Sequence, residues 1–254
     1  MDKIHFATFN INGGVPYKKA AEYSDAAFDP VNYLAGLIFE YKLDVVCFQE
    51  VLVEDDHHDS MSYEIAQKSG LKNYKEILLS DCHKVEGRKM GVSIISRYPF
   101  IQSDIFMLEN PKLTKTFESG KVYKSHDKGF LVTTIQTGAG EICCVTGHCV
   151  PFHLFGREEM EFKHIYAEIE KRLIKLLNER SHILIGSDFN TEQLDALMPE
   201  VFKRFRSIVD LPTRPNGKRH DYILCDRKMA DIRFCLIKTC FDHYGCMGVC
   251  GWNV

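Results

Sequence analysis

A set of polar side chains stands where apolar, strand-like runs of this chain stop: Asn10, Glu50, His148, Asp188, Asn190, Asp221, Asp242 and His243. The densest group follows His182-Ile183-Leu184-Ile185, a β-branched run that reads as a buried strand. A Gly186-Ser187 break comes next, then Asp188 and Asn190 on either side of Phe189. In extended chain this spacing puts the carboxylate and the carboxamide on one side and turns the phenyl ring into the core. The carboxyl ends of strands are where α/β proteins hold their ligands. The plainer alternative is a helix cap, with Asp188 or Asn190 opening a helix near Thr191-Glu192. Repetition of the same polar clustering at other strand ends favours a site.

Carboxylates with an amide and no thiolate suit a hard cation such as Mg2+ or Mn2+. Two histidines beside acids suit proton transfer or contact with a phosphate oxygen. No serine or cysteine has an obvious activating partner. A water attacking phosphorus, helped by metal and carboxylate, is therefore the economical chemistry.

The elements that must position these groups alternate between strand and helix. Ile4 to Phe9 forms a strand that ends at Asn10-Ile11-Asn12-Gly13-Gly14, where the glycines permit a sharp turn. Asp29-Pro30 starts a helix with the stripe Tyr33, Leu37, Ile38 and Tyr41. Asp44 to Phe48 is a second buried strand, running out into Gln49-Glu50. A helix from about Ser60 to Ser69 closes at Gly70. A further strand spans Gly91 to Arg97, and a hairpin turns at Gly138-Ala139-Gly140 and ends in Gly147-His148. The longest helix covers about Glu158 to Glu179, with one apolar face. A loop from Leu211 to Gly217 delivers His220-Asp221 to the strand that ends near Leu224, and Ile232 to Leu236 leads on to Asp242-His243. Polar clusters thus run the length of the chain without repeat or linker, and residues 1–254 read as one domain.

Composition narrows the function classes. Apolar residues make up 45% and charged residues 26%, an ordinary globular balance. No apolar run approaches the ~20 residues of a membrane-spanning helix. Met1-Asp2-Lys3 leads straight into a strand, so a cytoplasmic monomer is expected. The net charge of −3 excludes generic polyanion binding. Nucleic acid would need a local patch, and Lys112, Lys115, Lys121, Lys124 and Lys128 supply one against Glu118 and Asp127. The ten cysteines include no Cys-x-x-Cys pair and read as reduced core residues; Cys246 and Cys250 lack the second matched pair of a zinc site. The run Glu54-Asp55-Asp56-His57-His58-Asp59 reads as a solvated loop rather than a metal site.

Taken in order, Phe9-Asn10, Gln49-Glu50, Gly147-His148, Gly186-Ser187-Asp188-Phe189-Asn190, His220-Asp221 and Asp242-His243 resemble the endonuclease/exonuclease/phosphatase superfamily over nearly the whole chain. The resemblance implies a four-layer α/β/β/α sandwich: two mixed β-sheets face to face, helices outside, and the site at one edge. It implies Glu50 as a direct metal ligand, with Asn10 and Asp242 completing the shell partly through water. Asp188 would activate the attacking water, and Asn190 would steady it and touch the phosphate. His243, oriented by Asp221, would act as general base or bind a phosphate oxygen, and His148 would contact the phosphate or help the leaving group. Phe241 stands where the family often has serine, and Asn12-Gly13-Gly14 is a variant first loop that places Asn12 beside the substrate. His153 and Arg157 are expected to shape the substrate pocket, unless Arg157 merely starts the charged face of the long helix. The expected activity is a Mg2+- or Mn2+-dependent phosphodiesterase or nuclease. The alternatives are hydrolysis of a small phosphate ester, such as an inositol phosphate or lipid head group, and an inactive binding module.

Overall fold

Alternation along the strands sorts the apolar residues into three separate cores in a computed structural model, which describes residues 2–17, 28–53, 60–120, 122–180 and 182–252. In β1 (Asp2–Asn10), Ile4 and Phe6 face one core while Ala7 and Phe9 face another. In β2 (Val45–Val53), Val45 and Cys47 take the first side, Val46 and Phe48 the second. The shared core lies between two six-stranded mixed sheets, and the other two lie under helices. This is the expected four-layer sandwich.

The first sheet has the order β13-β14-β1-β2-β4-β3, with β3 at Asn73–Asp81, β4 at Lys89–Ser96, β13 at Ala230–Ile237 and β14 at Gly245–Trp252. Helices α1 (Pro30–Glu40) and α2 (Met61–Ser69) cover its outer face. Asp29 caps α1 by accepting from the Val31 and Asn32 amides, and Pro30 follows at the first helical position. Ser60 caps α2, and Gly70 closes it with φ 77°. The second sheet has the order β11-β12-β10-β9-β8-β5, with β5 at Phe100–Met107, β8 at Gly129–Thr137, β9 at Gly140–His148, β10 at Ile183–Asp188, β11 at Phe205–Ser207 and β12 at Asp221–Asp226. Helices α3 (Lys163–Glu179), α4 (Leu194–Leu197) and α5 (Pro199–Arg204) pack outside it. A small hairpin, β6 (Thr114–Thr116) with β7 (Val122–Lys124), stands apart.

Several expectations change. Gly186 and Ser187 continue β10 rather than break it, because a Cβ at Gly186 would lie 2.9 Å from both Phe6 Cε1 and Thr8 Cβ of the facing sheet. The long helix begins as a 3-10 turn at Glu159–Phe162, held by reciprocal capping between Glu158 and Glu161. Cys246 and Cys250 are fully buried in β14, and all ten cysteines are free thiols. The Glu54-to-Asp59 run and Lys121 lie outside the described residues. Among the described residues no helix is long and apolar enough to cross a membrane.

Candidate active site

Strand register places the polar ends. β1 and β2 run parallel with Asn10 beside Gln49, and β9 and β10 run parallel with His148 beside Asp188. Antiparallel β12 starts beside them, pairing Asp221 with Asp188. Antiparallel β14 starts at Gly245 next to the end of β1, so the preceding loop brings Asp242 and His243 to the same edge. Gln49 ties the two sheets together below this edge. Its buried amide donates to Thr8 Oγ1 at 3.0 Å, Thr146 Oγ1 at 2.8 Å and the Gly186 carbonyl at 3.3 Å.

Glu50 reaches the cleft through a bulge. The β2–β4 register shifts between Gln49 and Val51, and Glu50 takes φ 54°. An unpaired bulge residue re-aims its side chain away from the ladder. Asn12 (φ 52°) and Asn190 (φ 55°) also lie in the left-handed region, so backbone strain concentrates at this edge. Asn190 therefore faces the cleft through a turn rather than by strand alternation. Its backbone N–H donates to Asp188 Oδ1 at 2.8 Å and its amide to the Cys149 carbonyl at 3.0 Å. Phe189 is buried in the outer core as expected, and no helix starts before Leu194, which removes the cap alternative.

The two sheets meet through Asn10, whose amide donates to Asp188 Oδ2 at 2.9 Å and approaches Glu50 Oε1 at 3.5 Å. Asn10 Oδ1 accepts from the Asn12 backbone N–H at 3.1 Å. Asn12 in turn donates to the Val15 carbonyl at 2.8 Å. His148 Nε2 lies 3.7 Å from Glu50 Oε1 and 3.6 Å from Asp188 Oδ2. On the far side His243 Nδ1 pairs with Asp221 Oδ2 at 2.8 Å, and its Nε2 lies 3.9 Å from Asp188 Oδ2. Thr213 positions Asp221, because its hydroxyl accepts from the His220 and Asp221 amides. The Asp242-His243 loop is anchored by Phe241, packed edge-on against Tyr33 of α1, so an aromatic anchor occupies the position where the family often has serine.

Electrostatics divide these groups by role. Burial opposes the charge on Glu50, yet the positive groups around it, with Lys128 and His243 as the standing cations, hold its carboxyl below the usual carboxylate range. Burial, then the Asp221 carboxylate, pushes Asp188 up to about 6 against the pull of His243, Asn10 and Asn190. Burial also opposes charge on His243, but Asp221, Asp188 and Asp242 raise it to about 9. Burial and then Lys128 push His148 well below the ordinary histidine value, so its ring is neutral.

The donor set fits a hard divalent ion. Glu50 Oε1 and Asp188 Oδ2 converge on the same two side-chain nitrogens, those of Asn10 and His148, and hard oxygen donors of this kind suit Mg2+ or Mn2+. Asp188, Asp221 and His243 also offer ligand atoms within 4.8 Å of one another. They are buried, however, and the Asp221–His243 bond already uses one of those oxygens. Asn10 turns its N–H rather than its oxygen toward the acids. Asp242 lines the cleft but is engaged with Arg214 Nη2 at 2.9 Å.

His153 lines the cleft and also an adjoining depression. Arg157 does not line the cleft. It pairs with Glu161, lies over the Phe162 ring, and borders only the depression. It stands before the helix rather than on its charged face. Lys128, expected on an outer basic strip, is instead buried beside His148, with Nζ 2.9 Å from Nδ1. It precedes Gly129, which pairs with His148 in the β8–β9 ladder, and that register was the available signal. Sequence reasoning also missed Arg214, Lys84 and an aromatic wall. Tyr123 of β7 stacks on Phe155 at 5.4 Å, and His83 stacks on His126 at 5.6 Å.

Two face-to-face sheets with acids, amides and histidines at one edge define a DNase-like phosphoesterase architecture. A sequence profile of the Endonuclease/Exonuclease/phosphatase family matches residues 7–236, and the chain belongs to that family. Members hydrolyse phosphoester bonds with a divalent metal ion. Among solved structures, the endonuclease/exonuclease/phosphatase from Beutenbergia cavernae DSM 12333 superposes with a TM-score of 0.75 at 16% identity, covering 100% of this chain and 72% of that one. The human Nocturnin catalytic domain with bound sulfate gives 0.67 at 15%, covering 99% and 94%. TDP2 from Caenorhabditis elegans gives 0.62 at 12%, covering 98% and 74%. None of the curated proteins matches the chain in sequence.

Proposed function

We propose that the chain is a Mg2+- or Mn2+-dependent phosphodiesterase that cleaves nucleic acid by in-line attack of water. The observation that carries this is the meeting of Glu50, Asp188 and His148 with the Asp221–His243 pair at one cleft. The reading takes residues 1–254 as one catalytic domain, because both sheets supply site residues.

Glu50 and Asp242 are the residues that would hold the ion, with Asn10 joining once its amide turns its oxygen inward. When bound, the metal supplies charge neutralisation at the phosphoryl oxygens and a more acidic water. Asp188, raised to about 6, is matched to accept a proton near neutral pH, and the Asn190 backbone N–H fixes its orientation. His243 is charged and donates from Nε2 to a phosphoryl oxygen while Asp221 holds Nδ1–H. His148, neutral, donates to a phosphoryl or leaving oxygen. Arg214 and Lys84 add positive charge to the cleft walls.

The basic hairpin favours a nucleic-acid substrate. Lys112 and Lys124 are exposed beside it, Lys115 lies over the Phe117 ring, and Tyr123 continues into the cleft wall. Changing Lys112, Lys115 and Lys124 to Gln is expected to raise KM on oligonucleotides. It should also flatten the salt dependence, the slope falling by about 0.7–0.9 for each phosphate left without its lysine. Turnover of bis(p-nitrophenyl) phosphate should require Mg2+ or Mn2+ and stop with chelator. Activity indifferent to chelator would end the metal assignment, and an unchanged salt slope on DNA and RNA would transfer the site to a small phosphate ester.

A further inference from the structure

Three segments around the cleft bring aromatic rings together beside it, and the hydrolytic chemistry uses none of them. His83 comes from the β3–β4 loop, Tyr123 from β7, and Phe155 from the 3-10 turn Phe152–Phe155 that follows β9. Tyr123 stacks on Phe155 with their planes at 21°. It meets His83 edge-on at 6.0 Å and His126 at 5.4 Å, while the two imidazoles stack on each other. Ring pairs in these arrangements hold one another in orientation. A cluster of this size under a hairpin is ordinarily core packing. Tyr123, however, belongs to none of the three hydrophobic cores. With His83, Pro151 and Leu154 it lines the cleft instead.

Position and composition together say what this wall meets. His83 Nε2 lies 4.0 Å from Glu50 Oε2, so the rings begin beside an acid that would hold the ion. Whatever is esterified to a phosphoryl group there extends along them. Ring faces, a proline and a leucine offer flat apolar surface, which suits a planar base one sugar away from its phosphate. Lys115 stands directly across the β6–β7 ladder from Tyr123, and opposed residues of an antiparallel pair share a face. One face of the hairpin thus carries a ring and a cation side by side.

We propose that His83 and Tyr123 form a stacking subsite for the nucleobase next to the scissile phosphate, so that the substrate is a nucleic-acid strand unpaired at that base. The inference rests on the nuclease reading above and narrows it. A base inside a duplex is already stacked on both sides, and it reaches a protein ring only where the strand is single or opened. Phe155 and His126 brace the wall from behind, and Lys115 follows the backbone. Rings for the bases beside charge for the phosphates is how proteins grip a single strand without reading its sequence.

The test uses full-length protein in chelator, where nothing is hydrolysed, and filter binding of end-radiolabelled strands at one low salt concentration. A single-stranded oligonucleotide is compared with a fully abasic sugar-phosphate strand of the same length and charge, and with duplex. Wild type is expected to prefer the base-bearing single strand to the abasic one. Tyr123→Ala should weaken binding of the base-bearing strand by roughly 5–150-fold, the usual worth of one base stacked on one ring, and leave the abasic strand and duplex as they were. Tyr123→Phe, which keeps the ring, should bind like wild type. Equal wild-type affinity for the base-bearing and abasic strands overturns the proposal without need of any variant. So does a Tyr123→Ala protein that loses affinity for both strands alike, since the hairpin would then act through charge or shape alone. Failure of the nuclease reading would show separately, as a protein that prefers base-bearing strands in chelator yet cuts none of them with Mg2+ or Mn2+.

Discussion

His243 and Asp188 compete for the part of general base, and their surroundings separate them. The Asp221 carboxylate at 2.8 Å keeps His243 protonated up to about pH 9, so its Nε2 has no lone pair to offer at neutral pH. Asp188, at about 6, is largely deprotonated there and free to accept. We therefore expect His243→Ala to lose roughly 10²–10⁴-fold in turnover, the range for a group acting on the reacting atoms. Asp221→Asn leaves the ring in place but removes its main counter-charge, so burial should pull His243 downward. The alkaline limb of the pH–rate profile should then move to lower pH. A profile that does not shift, measured on bis(p-nitrophenyl) phosphate, would show that the pair is not what keeps the ring charged.

At the scale of elements the site depends on how closely the sheets approach. Gly186 of β10 faces Phe6 and Thr8 of β1, with no room for a methyl group. Gly186→Ala should press the sheets apart beneath Asn10 and Asp188 and cost about 1–3 kcal/mol, read from urea denaturation. Wild-type stability in that variant would mean the sheets have slack. This contact also marks where sequence stops being legible. Asp188, His148, Glu50 and Asp221 were recognisable because each ends or begins an apolar strand, and their register did the rest. Lys128 was misplaced because a charged residue in sequence carries no sign of its depth or its partner. Among the strands, β3, β5 and β14 escaped notice: β3 and β5 are edge strands with little apolar alternation, and β14 is rich in glycine and cysteine. The Gly186-Ser187 pair looked like a break because the facing sheet, which explains the glycine, is more than a hundred residues away in the chain.

For the whole molecule, the buried histidines set a window of stability. Burial and then neighbouring cations hold His220 at about 3 and His153 at about 4, and His148 is also depressed. The unfolded chain protonates these rings near 6.5, so each contributes stability that is full above that value and is lost as pH falls through it. Asp188, raised, acts in the opposite sense through the same range, against these three rings and His83 and His126, which burial also depresses. His243, raised to about 9, contributes stability present below 6.5 and lost as pH rises to 9. The Tm of metal-free protein should therefore peak near neutral pH and decline on both sides. His220→Gln should shallow the acid decline, and a Tm that keeps rising toward pH 5 would contradict these assignments.

The left-handed backbone at Glu50 sets catalysis and durability against each other. A carboxylate held at φ 54° in a bulge carries about 1–3 kcal/mol of conformational cost, set against the attraction of the positive groups that keep its carboxyl below the usual range. Glycine relieves only the backbone cost, so Glu50→Gly and Glu50→Ala should both abolish turnover, with the glycine variant melting higher than the alanine variant in metal-free protein. A glycine variant that melts no higher than the alanine variant would show that the bulge is unstrained. If that order is found, the scaffold tolerates a strained joint because only a side chain leaving it can aim an acid into the cleft.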